Sequence, residues 1–358
     1  MKIAQVCPLY ESCPPRFYGG TERVVSHLTQ ELVRQGHEVT LLASADSQTN
    51  ANLEACCEQA LRLDPKCKDP LPYHLVMLDR VARSVDAFDI IHFHTDFLHF
   101  PIFAHCWNKT VTTLHGRLDL PHVPLLMREF RMMPLVSISD AQRRPVPWAN
   151  WRCTIYHGLP TDLYALGNNS GNYLAFVGRI CPEKRPDLAI EIACRAGVLL
   201  KIAAKVDKVD HAYYEAKIKP LLSEPQVEFI GEIGDHEKRA FYGEAIALLF
   251  PIDWREPFGL VMIEAIANGT PVIAFRRGSG PQIIDDSVTG LIVENIDEAV
   301  AAVARAMTLD RRAIRRHFED RFSVERMARE YVVHYREMLR ESAFPILNSV
   351  PENEPAAA

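Results

Sequence analysis

The sequence predicts an α/β protein of two Rossmann-like halves, each built on a parallel sheet. Three observations point there. Short β-rich apolar segments alternate with helical patterns along most of the chain, and that alternation builds parallel sheets covered by helices. At 358 residues and 48% hydrophobic content the chain outgrows one ordinary core. A turn-rich polar stretch, Gly167-Asn-Asn-Ser-Gly-Asn172, falls near mid-chain, and a new strand follows it directly.

In the first half, strands are expected at Lys2–Cys7, Glu38–Ala43, Asp89–His94, Thr110–Leu114, Leu135–Ile138 and Cys153–Tyr156. In the second they are expected at Tyr173–Val177, Leu199–Ala203, Val227–Ile230, Ile246–Phe250, Val272–Phe275 and Leu291–Val293. Helices are expected at Thr21–Gln35, Asp187–Ala196, His211–Leu222, His236–Glu244 and Leu260–Asn268, then at Arg311–Phe318 and Val324–Arg340. Pro186 suits a first helical position and Gly197 a C-terminal one. Gly269 ends the helix before it, Pro271 prevents continuation, and Asp297 is a candidate cap for the next. The resulting division is 1–165, 166–323, a final helix over 324–345 and a tail, 346–358, expected to be disordered for want of any core-forming pattern.

A net charge of −6 argues against generic nucleic-acid binding. The segment from Arg117 to Arg152 is locally basic, which fits either a solvated face or a site for an anionic or membrane-borne acceptor. The start, Met-Lys-Ile-Ala-Gln-Val-Cys-Pro8, is too short an apolar run for a signal peptide. No window reaches the ~18 apolar residues of a spanning helix. The nine cysteines lack metal-type spacing, so a reduced cytoplasmic chain is expected.

The strongest chemical signal is a pair of carboxylates, Glu256 and Glu264, in Glu256-Pro-Phe-Gly-Leu-Val-Met-Ile-Glu264. Leu260–Asn268 is apolar on every side except for Glu264, so that acid sits in a helix built for burial. A buried carboxylate needs a partner, and the flanking cations are only Arg255 and Arg276. The partner must come from elsewhere in the fold or from a ligand. Gly19-Gly20-Thr21-Glu22 follows the first strand and opens a helix, where backbone N–H groups can close on an anion or simply turn. Val177-Gly178-Arg179-Ile-Cys-Pro-Glu-Lys184 places two cations past another strand, as suits a diphosphate or an ordinary basic loop. His115 ends the strand Thr110–Leu114, where a histidine is either structural or a contact for a sugar hydroxyl or leaving group. His92, His94, His99 and His105 cluster without the cysteine or carboxylate spacing of a zinc site. Gly278-Ser-Gly280-Pro-Gln282 is a turn that either approaches a phosphate or only reverses the chain. The sequence has no Asp-x-Asp motif, no Gly-x-Ser-x-Gly and no Walker loop.

Taken together, these segments resemble the family 4 retaining glycosyltransferases of the GT-B fold, from Lys2 to about Tyr335. Asp89-Ile-Ile-His92, Leu114-His115-Gly116, Phe229-Ile-Gly231 and the run from Glu256 through Ile273 carry the resemblance with the motifs above. It implies two domains facing across a cleft, with the C-terminal helix crossing back to the first. It implies that Glu264 holds the ribose hydroxyls of a nucleotide and so finds its partner there, and that Glu256 contacts the donor sugar. Arg179 and Lys184 would bind the diphosphate, with the amides of Phe258, Gly259 and Leu260 assisting at a helix N-terminus. His115 would sit beside the donor sugar, Gly19 and Gly20 would close over the diphosphate, and Gly231 would join the donor site.

The implied reaction moves a hexose from a nucleoside-diphosphate sugar to a carbohydrate or lipid-linked acceptor. It would need no metal or other cofactor and would proceed by same-face substitution, with UDP-glucose the first guess for the donor. Competing readings are a phosphorylase or epimerase-like hydrolase of the same fold, and a non-catalytic nucleotide-sugar-binding subunit. Arg117, Asp119, Arg128 and the His94–His99 segment are acceptor-side candidates. A nucleotide sugar and its acceptor are the expected partners, nucleic acid is not, and peripheral contact with the inner face of a membrane fits the basic segment. Four positions depart from the common pattern: Arg185 where Gly often follows the Glu-Lys pair, Gln282 where an acid is frequent, His157 in a place often held by Asn, and Ala204-Lys205 in place of a Gly-rich turn.

Overall fold

The computed structural model describes residues 1–16, 19–168 and 170–343. The tail expected to be disordered, 346–358, lies outside them. Thirteen strands form two sheets. The first sheet holds β1 (Lys2–Val6), β2 (Glu38–Ser44), β3 (Asn52–Cys57), β4 (Ile90–Phe93), β5 (Thr110–Thr113), β6 (Leu135–Ser137) and β7 (Trp151–Thr154). Its order is β3-β2-β1-β4-β5-β6-β7, all parallel. The second holds β8 (Tyr173–Arg179), β9 (Leu199–Lys205), β10 (Val227–Gly231), β11 (Ala247–Phe250), β12 (Val272–Phe275) and β13 (Gly290–Val293). Its order is β10-β9-β8-β11-β12-β13, again parallel throughout. In each sheet the order reverses beside the first strand, between β1 and β4 and between β8 and β11. Open α/β sheets bind ligands outside the carboxyl ends of strands at such a switch.

The final helix, Val324–Ala343, belongs to the first sheet although it follows the second in sequence. Its buried residues Val324, Met327, Ala328, Tyr331, Val332, Tyr335 and Met338 recur at helical spacing. They share one core with Ile3 of β1, Ile90 of β4, Val111 of β5, and Val24 and Leu28 of the helix Gly20–Arg34. The chain therefore passes between the lobes twice, and the two passages lie side by side. Leu159 N–H donates to Phe322 O at 2.9 Å, and Val324 N–H donates to Leu159 O at 2.9 Å. A Cβ on Gly158 would stand 2.4 Å from the Ser323 carbonyl oxygen, so only glycine fits there.

Most expected elements fall where the pattern put them, with differences that have physical reasons. Strand β3 was not expected; Asn52-Leu-Glu-Ala-Cys-Cys57 is an edge strand of which only Cys56 is buried, so no clear alternation marks it. The strand expected at Cys153–Tyr156 is β7, shifted two residues earlier. The helix expected at His211–Leu222 is broken into the short turns His211–Tyr213, Tyr214–Ile218 and Lys219–Ser223. Pro220 cannot donate a backbone hydrogen bond within that run. The helix Leu71–Arg83 was missed because Leu71, Tyr73, Leu75 and Val76 are all exposed apolar residues, which blunts its periodicity. In the helix Ile296–Ala306 the cap is Asn295, whose side chain accepts from Glu298 N–H at 3.0 Å, and Asp297 sits in the first turn.

Two further departures acquire physical reasons. Arg185 has φ +51° and caps the helix Pro186–Ala196, which is why glycine suits the position; here the guanidinium is held by Asp187 at 2.8 Å and Asp253 at 3.2 Å. Gln282 links the lobes, its side-chain oxygen accepting from Asp140 N–H at 3.0 Å. Among the described residues no helix is long and apolar enough to cross a membrane. All nine cysteines are free.

The paired passages give one prediction. Gly158→Ala should cost about 1–3 kcal/mol of stability through backbone overlap at Ser323, read as a lowered midpoint in calorimetry; an unchanged midpoint would mean that the two passages do not pack as described.

Candidate active site

The carboxyl ends of the two sheets meet across a cleft of about 480 Å³. His94 follows β4 and His115 follows β5; Arg179 ends β8, Lys205 ends β9 and Glu232 follows β10. The wall takes in Gly19, Gly20, His94, His115, Arg179, Lys184, Glu256, Phe258, Gly259, Leu260 and Glu264. Of the expected residues, Gly231, Arg117, Asp119 and Arg128 are not brought to it, and the His94–His99 segment reaches it through His94, Thr95, Asp96 and Leu98. Gly231 ends β10 at φ +79° and only turns the chain so that Glu232 reaches the cleft. Arg117 is engaged elsewhere, paired with Asp119 at 2.7 Å and lying over the Trp254 ring at 5.5 Å.

Glu264 lies on the helix Leu260–Ala267, whose interior positions Met262, Ile263, Ala265, Ile266 and Ala267 are fully buried. Its carboxylate is 2% exposed and does face the cleft. The partner that sequence reasoning left to the fold or to a ligand comes from the fold. Lys238 Nζ donates to Glu264 at 3.1 Å, and the Tyr242 hydroxyl donates to it at 2.8 Å. Both stand on the neighbouring helix Asp235–Glu244. The carboxylate thus already has partners within the fold, so its burial does not by itself require a nucleotide. Lys238 itself lines the cleft, so the pair remains accessible at that edge.

The second carboxylate is also paired from within, since Lys184 Nζ donates directly to Glu256. The Lys184 ammonium lies 5.3 Å from the Trp254 ring centre and 5.7 Å from that of Phe250, an aromatic setting that favours a cation. Arg179 lies 3.3 Å from Asp210 and 3.9 Å from Asp207. Gly259 adopts φ +81° at the start of its helix, and a Cβ there would meet Met262 at 2.8 Å and Phe250 at 3.0 Å. The turn Gly278–Gln282 is a buttress and does not form part of the cleft wall. Gly278 packs against the backbone of Glu256, Ser279 N–H donates to Glu256 O at 3.0 Å, and Ser279 Oγ donates to Phe258 O at 2.7 Å.

From the first lobe, Gly19 approaches Pro15 so closely that a Cβ would lie 2.8 Å away, and Gly20 faces Leu260 across the cleft. Arg23, three residues on, reaches the other lobe and donates to Asp235. Asp235 is 3.6 Å from Lys238, so charges of alternating sign run from Arg23 through Asp235 and Lys238 to Glu264. Burial raises the Glu22 carboxyl to about 7. Glu22 lines the same cleft.

The histidines form no group suited to a metal among the described residues; His92, His94 and His99 are each held by hydrogen bonds. His92 lies between the Tyr335 hydroxyl and Thr113 Oγ1, 2.7 Å from each. His99 Nε2 is 2.8 Å from Thr112 Oγ1. His94 bridges Gln5 at 2.8 Å and His115 at 2.9 Å, and His115 stacks on His157 at 5.2 Å. Burial lowers His94 and His157 well below the ordinary imidazole value and His115 to about 3, so all three are neutral near pH 7.

Sequence reasoning missed Lys238, Tyr242, Arg23, Asp235 and the cleft-facing role of His157. Lys238 and Tyr242 stand on a helix whose polar pattern reads as surface, and nothing local ties them to Glu264.

A family model described as "Glycosyltransferase Family 4" matches residues 18–156. One described as "Glycosyl transferases group 1" matches residues 165–321. The chain is 25% identical to an uncharacterized glycosyltransferase of Methanocaldococcus jannaschii over 86% of this chain and 89% of that protein. It is 31% identical to a D-inositol 3-phosphate glycosyltransferase of Frankia alni, in a match covering 45% of this chain and 42% of the relative. Among solved structures it superposes with TM-score 0.71 on Anabaena HepE in complex with UDP and glucose, at 16% identity over 94% of this chain and all of that one.

Two predictions follow from the buried charges. Lys238→Met should destabilise the protein by about 3–5 kcal/mol, because it strands Glu264 as a buried charge. Lys238→Met combined with Glu264→Gln should recover much of that loss in chemical denaturation; a double variant as unstable as the single one contradicts the pairing. Glu22 has a folded value of about 7 against 4.5 unfolded. Its stabilising contribution is complete below about pH 4.5 and is lost as pH rises through about 7. Glu22→Gln should therefore exceed the parent in stability at about pH 8, the advantage vanishing near pH 4. Parallel stability profiles would contradict the raised value.

Proposed function

We propose that this chain, which belongs to the family 4 glycosyltransferases of the GT-B fold, moves a hexose from a nucleoside-diphosphate sugar to a carbohydrate or lipid-linked acceptor, retaining the anomeric configuration. The observation that carries this reading is the convergence of Glu264, Glu256, Arg179 and Lys184 on one wall of the interlobe cleft. Arg179 ends β8, Lys184 follows in the turn Pro182–Lys184, and both carboxylates are buried.

In this reading the ribose hydroxyls donate to the Glu264 carboxylate in place of Lys238, whose ammonium is then available to phosphate. The diphosphate lies between Arg179 and Lys184 and against the amides of Phe258, Gly259 and Leu260, where the helix dipole adds to the cations. Glu256, relieved of Lys184, accepts from the sugar's hydroxyls, and His115 contacts the sugar from the first lobe. As the sugar–phosphate bond breaks, positive charge develops on the sugar and negative charge on the diphosphate. The cations stabilise the second more in the transition state than in the ground state. The acceptor hydroxyl attacks from the face that the diphosphate leaves, and the departing phosphate oxygen takes its proton. Arg179 and Lys184 supply the phosphate neutralisation, so no metal ion is required. UDP-glucose is the donor of choice for a first test, a choice supported by the UDP and glucose bound to the similar HepE structure.

The acceptor side is the first lobe. Leu125 and Trp148, 70% and 48% exposed, and exposed Met132 fall in the stretch of chain that carries Arg128, Arg131 and Arg144. The Arg128 guanidinium lies 5.6 Å from the Trp148 ring centre. Apolar and cationic groups interleaved in this way suit the surface of an anionic membrane, which supports a lipid-linked acceptor and peripheral attachment at the inner face.

Glu264→Ala should weaken UDP-glucose binding at least about 100-fold, the loss of two hydrogen bonds to a charged acceptor, while the folded structure survives. Unchanged affinity in calorimetry would remove the ribose role. Hexose transfer should persist in excess EDTA; activity lost there and restored by Mg²⁺ or Mn²⁺ would contradict neutralisation by side chains. Transfer to an added acceptor, in contrast to cleavage dependent on phosphate, separates this reading from a phosphorylase.

A further inference from the structure

The sugar end of the cleft is wired to the C-terminal helix by hydrogen bonds whose directions can be deduced. Gln5 is the one polar residue facing inward from β1, and it is fully buried. Its amide Nε2 donates to the Tyr335 hydroxyl at 3.3 Å. Its carbonyl oxygen lies 2.8 Å from His94 Nε2. A carbonyl oxygen only accepts, so His94 Nε2 carries the proton and His94 Nδ1 is a lone pair. That lone pair lies 2.9 Å from His115 Nε2, which must then be the protonated nitrogen of His115. His115 Nδ1 is left as a bare acceptor, buried and without a partner among the described residues.

An unpaired buried acceptor is unfavourable. In the wall of a cleft, that penalty is relieved by a ligand group that donates. We infer that Gln5 and His94 are positioning residues that hold His115 as an acceptor-only contact, so that the cleft selects a transferred sugar presenting a hydroxyl to Nδ1 and rejects one presenting a carboxylate there. This rests on the donor-sugar reading of His115 given above. A hydroxyl gives its proton to Nδ1. A carboxylate has no proton to give, and the ring cannot supply one, because burial holds His115 neutral down to about 3. The groups facing the ring are His94, itself neutral, and His157, stacked 5.2 Å away and neutral too, so neither offers a compensating charge. A sugar lacking the hydroxyl leaves Nδ1 unpaired, the situation in which polar sites discriminate most strongly.

The test combines a spectroscopic readout with a kinetic one on the full-length protein. Long-range ¹H–¹⁵N correlation spectra of histidine-labelled protein, with His115 identified through His115→Gln, should show the Nε2–H tautomer in the parent. His94→Phe should lose that fixed tautomer, and His94→Asn, which restores an acceptor oxygen, should regain it. In parallel, kcat/KM is measured with UDP-glucose, its monodeoxy analogues and UDP-glucuronate. One monodeoxy analogue should lose roughly 10–100-fold with the parent and with His94→Asn but under about 3-fold more with His94→Phe, and UDP-glucuronate should be a poor donor for the parent. A parent His115 carrying its proton on Nδ1 overturns the inference, as does a His94→Phe variant that loses the same factor on every donor. Failure to bind any of these nucleotide sugars overturns the donor reading on which the selectivity rests, and the tautomer still decides separately whether Gln5 and His94 set the ring.

Discussion

A carboxylate and an ammonium are held against each other at the edge of an oily helix, and much of the second lobe is arranged around them. Glu264 occupies a helix whose positions from Met262 to Ala267 are otherwise committed to the core, and its buried carboxylate is held by Lys238 and Tyr242. That requirement fixes the helix Asp235–Glu244 against the helix Leu260–Ala267. It also sets Asp235 where it meets Arg23 from the opposite lobe. An apolar core residue at position 264 would stabilise the lobe as well or better, since buried ion pairs seldom outperform well-packed hydrophobic groups. The proposed function gives the pair a use: on nucleotide binding the ribose hydroxyls would take over the carboxylate while the Lys238 ammonium turns to phosphate, exchanging one charge-assisted contact for another.

The architecture suits such an exchange. Two parallel sheets present their carboxyl ends to one cleft, and the connections between lobes are confined to adjacent strands of backbone at Leu159 and Ser323. A hinge made of two neighbouring passages permits closure without disturbing either core. The C-terminal helix packs wholly on the first lobe, where Tyr331 and Tyr335 take part in the buried hydrogen bonds that end at His115.

Much of this was legible in the chain. The alternation of strands and helices gave both sheets, because fully buried parallel strands read as short apolar runs. Glu264 stood out since its octet tolerates no unpaired charge. The cations Arg179 and Lys184 followed from their place after β8. What stayed hidden depended on contacts distant in sequence. Lys238 lies 26 residues from Glu264, on a helix with an ordinary surface pattern. The turn at Gly278 read equally well as a phosphate loop, and only its packing on Glu256 shows it to be a support. Arg117 carried the right charge in the right neighbourhood, but Asp119 two residues on takes it away from the cleft. Gln5 did leave a signal, a lone amide inside an apolar strand, whose meaning required knowing that His94 lies beside it.

The most direct test of this account is a crystal structure of the protein with UDP-glucose. The account predicts ribose hydroxyls within hydrogen-bonding distance of the Glu264 carboxylate, Lys238 moved off it toward phosphate, and the diphosphate between Arg179 and Lys184. A nucleotide found elsewhere, with the Lys238–Glu264 pair intact, would contradict it.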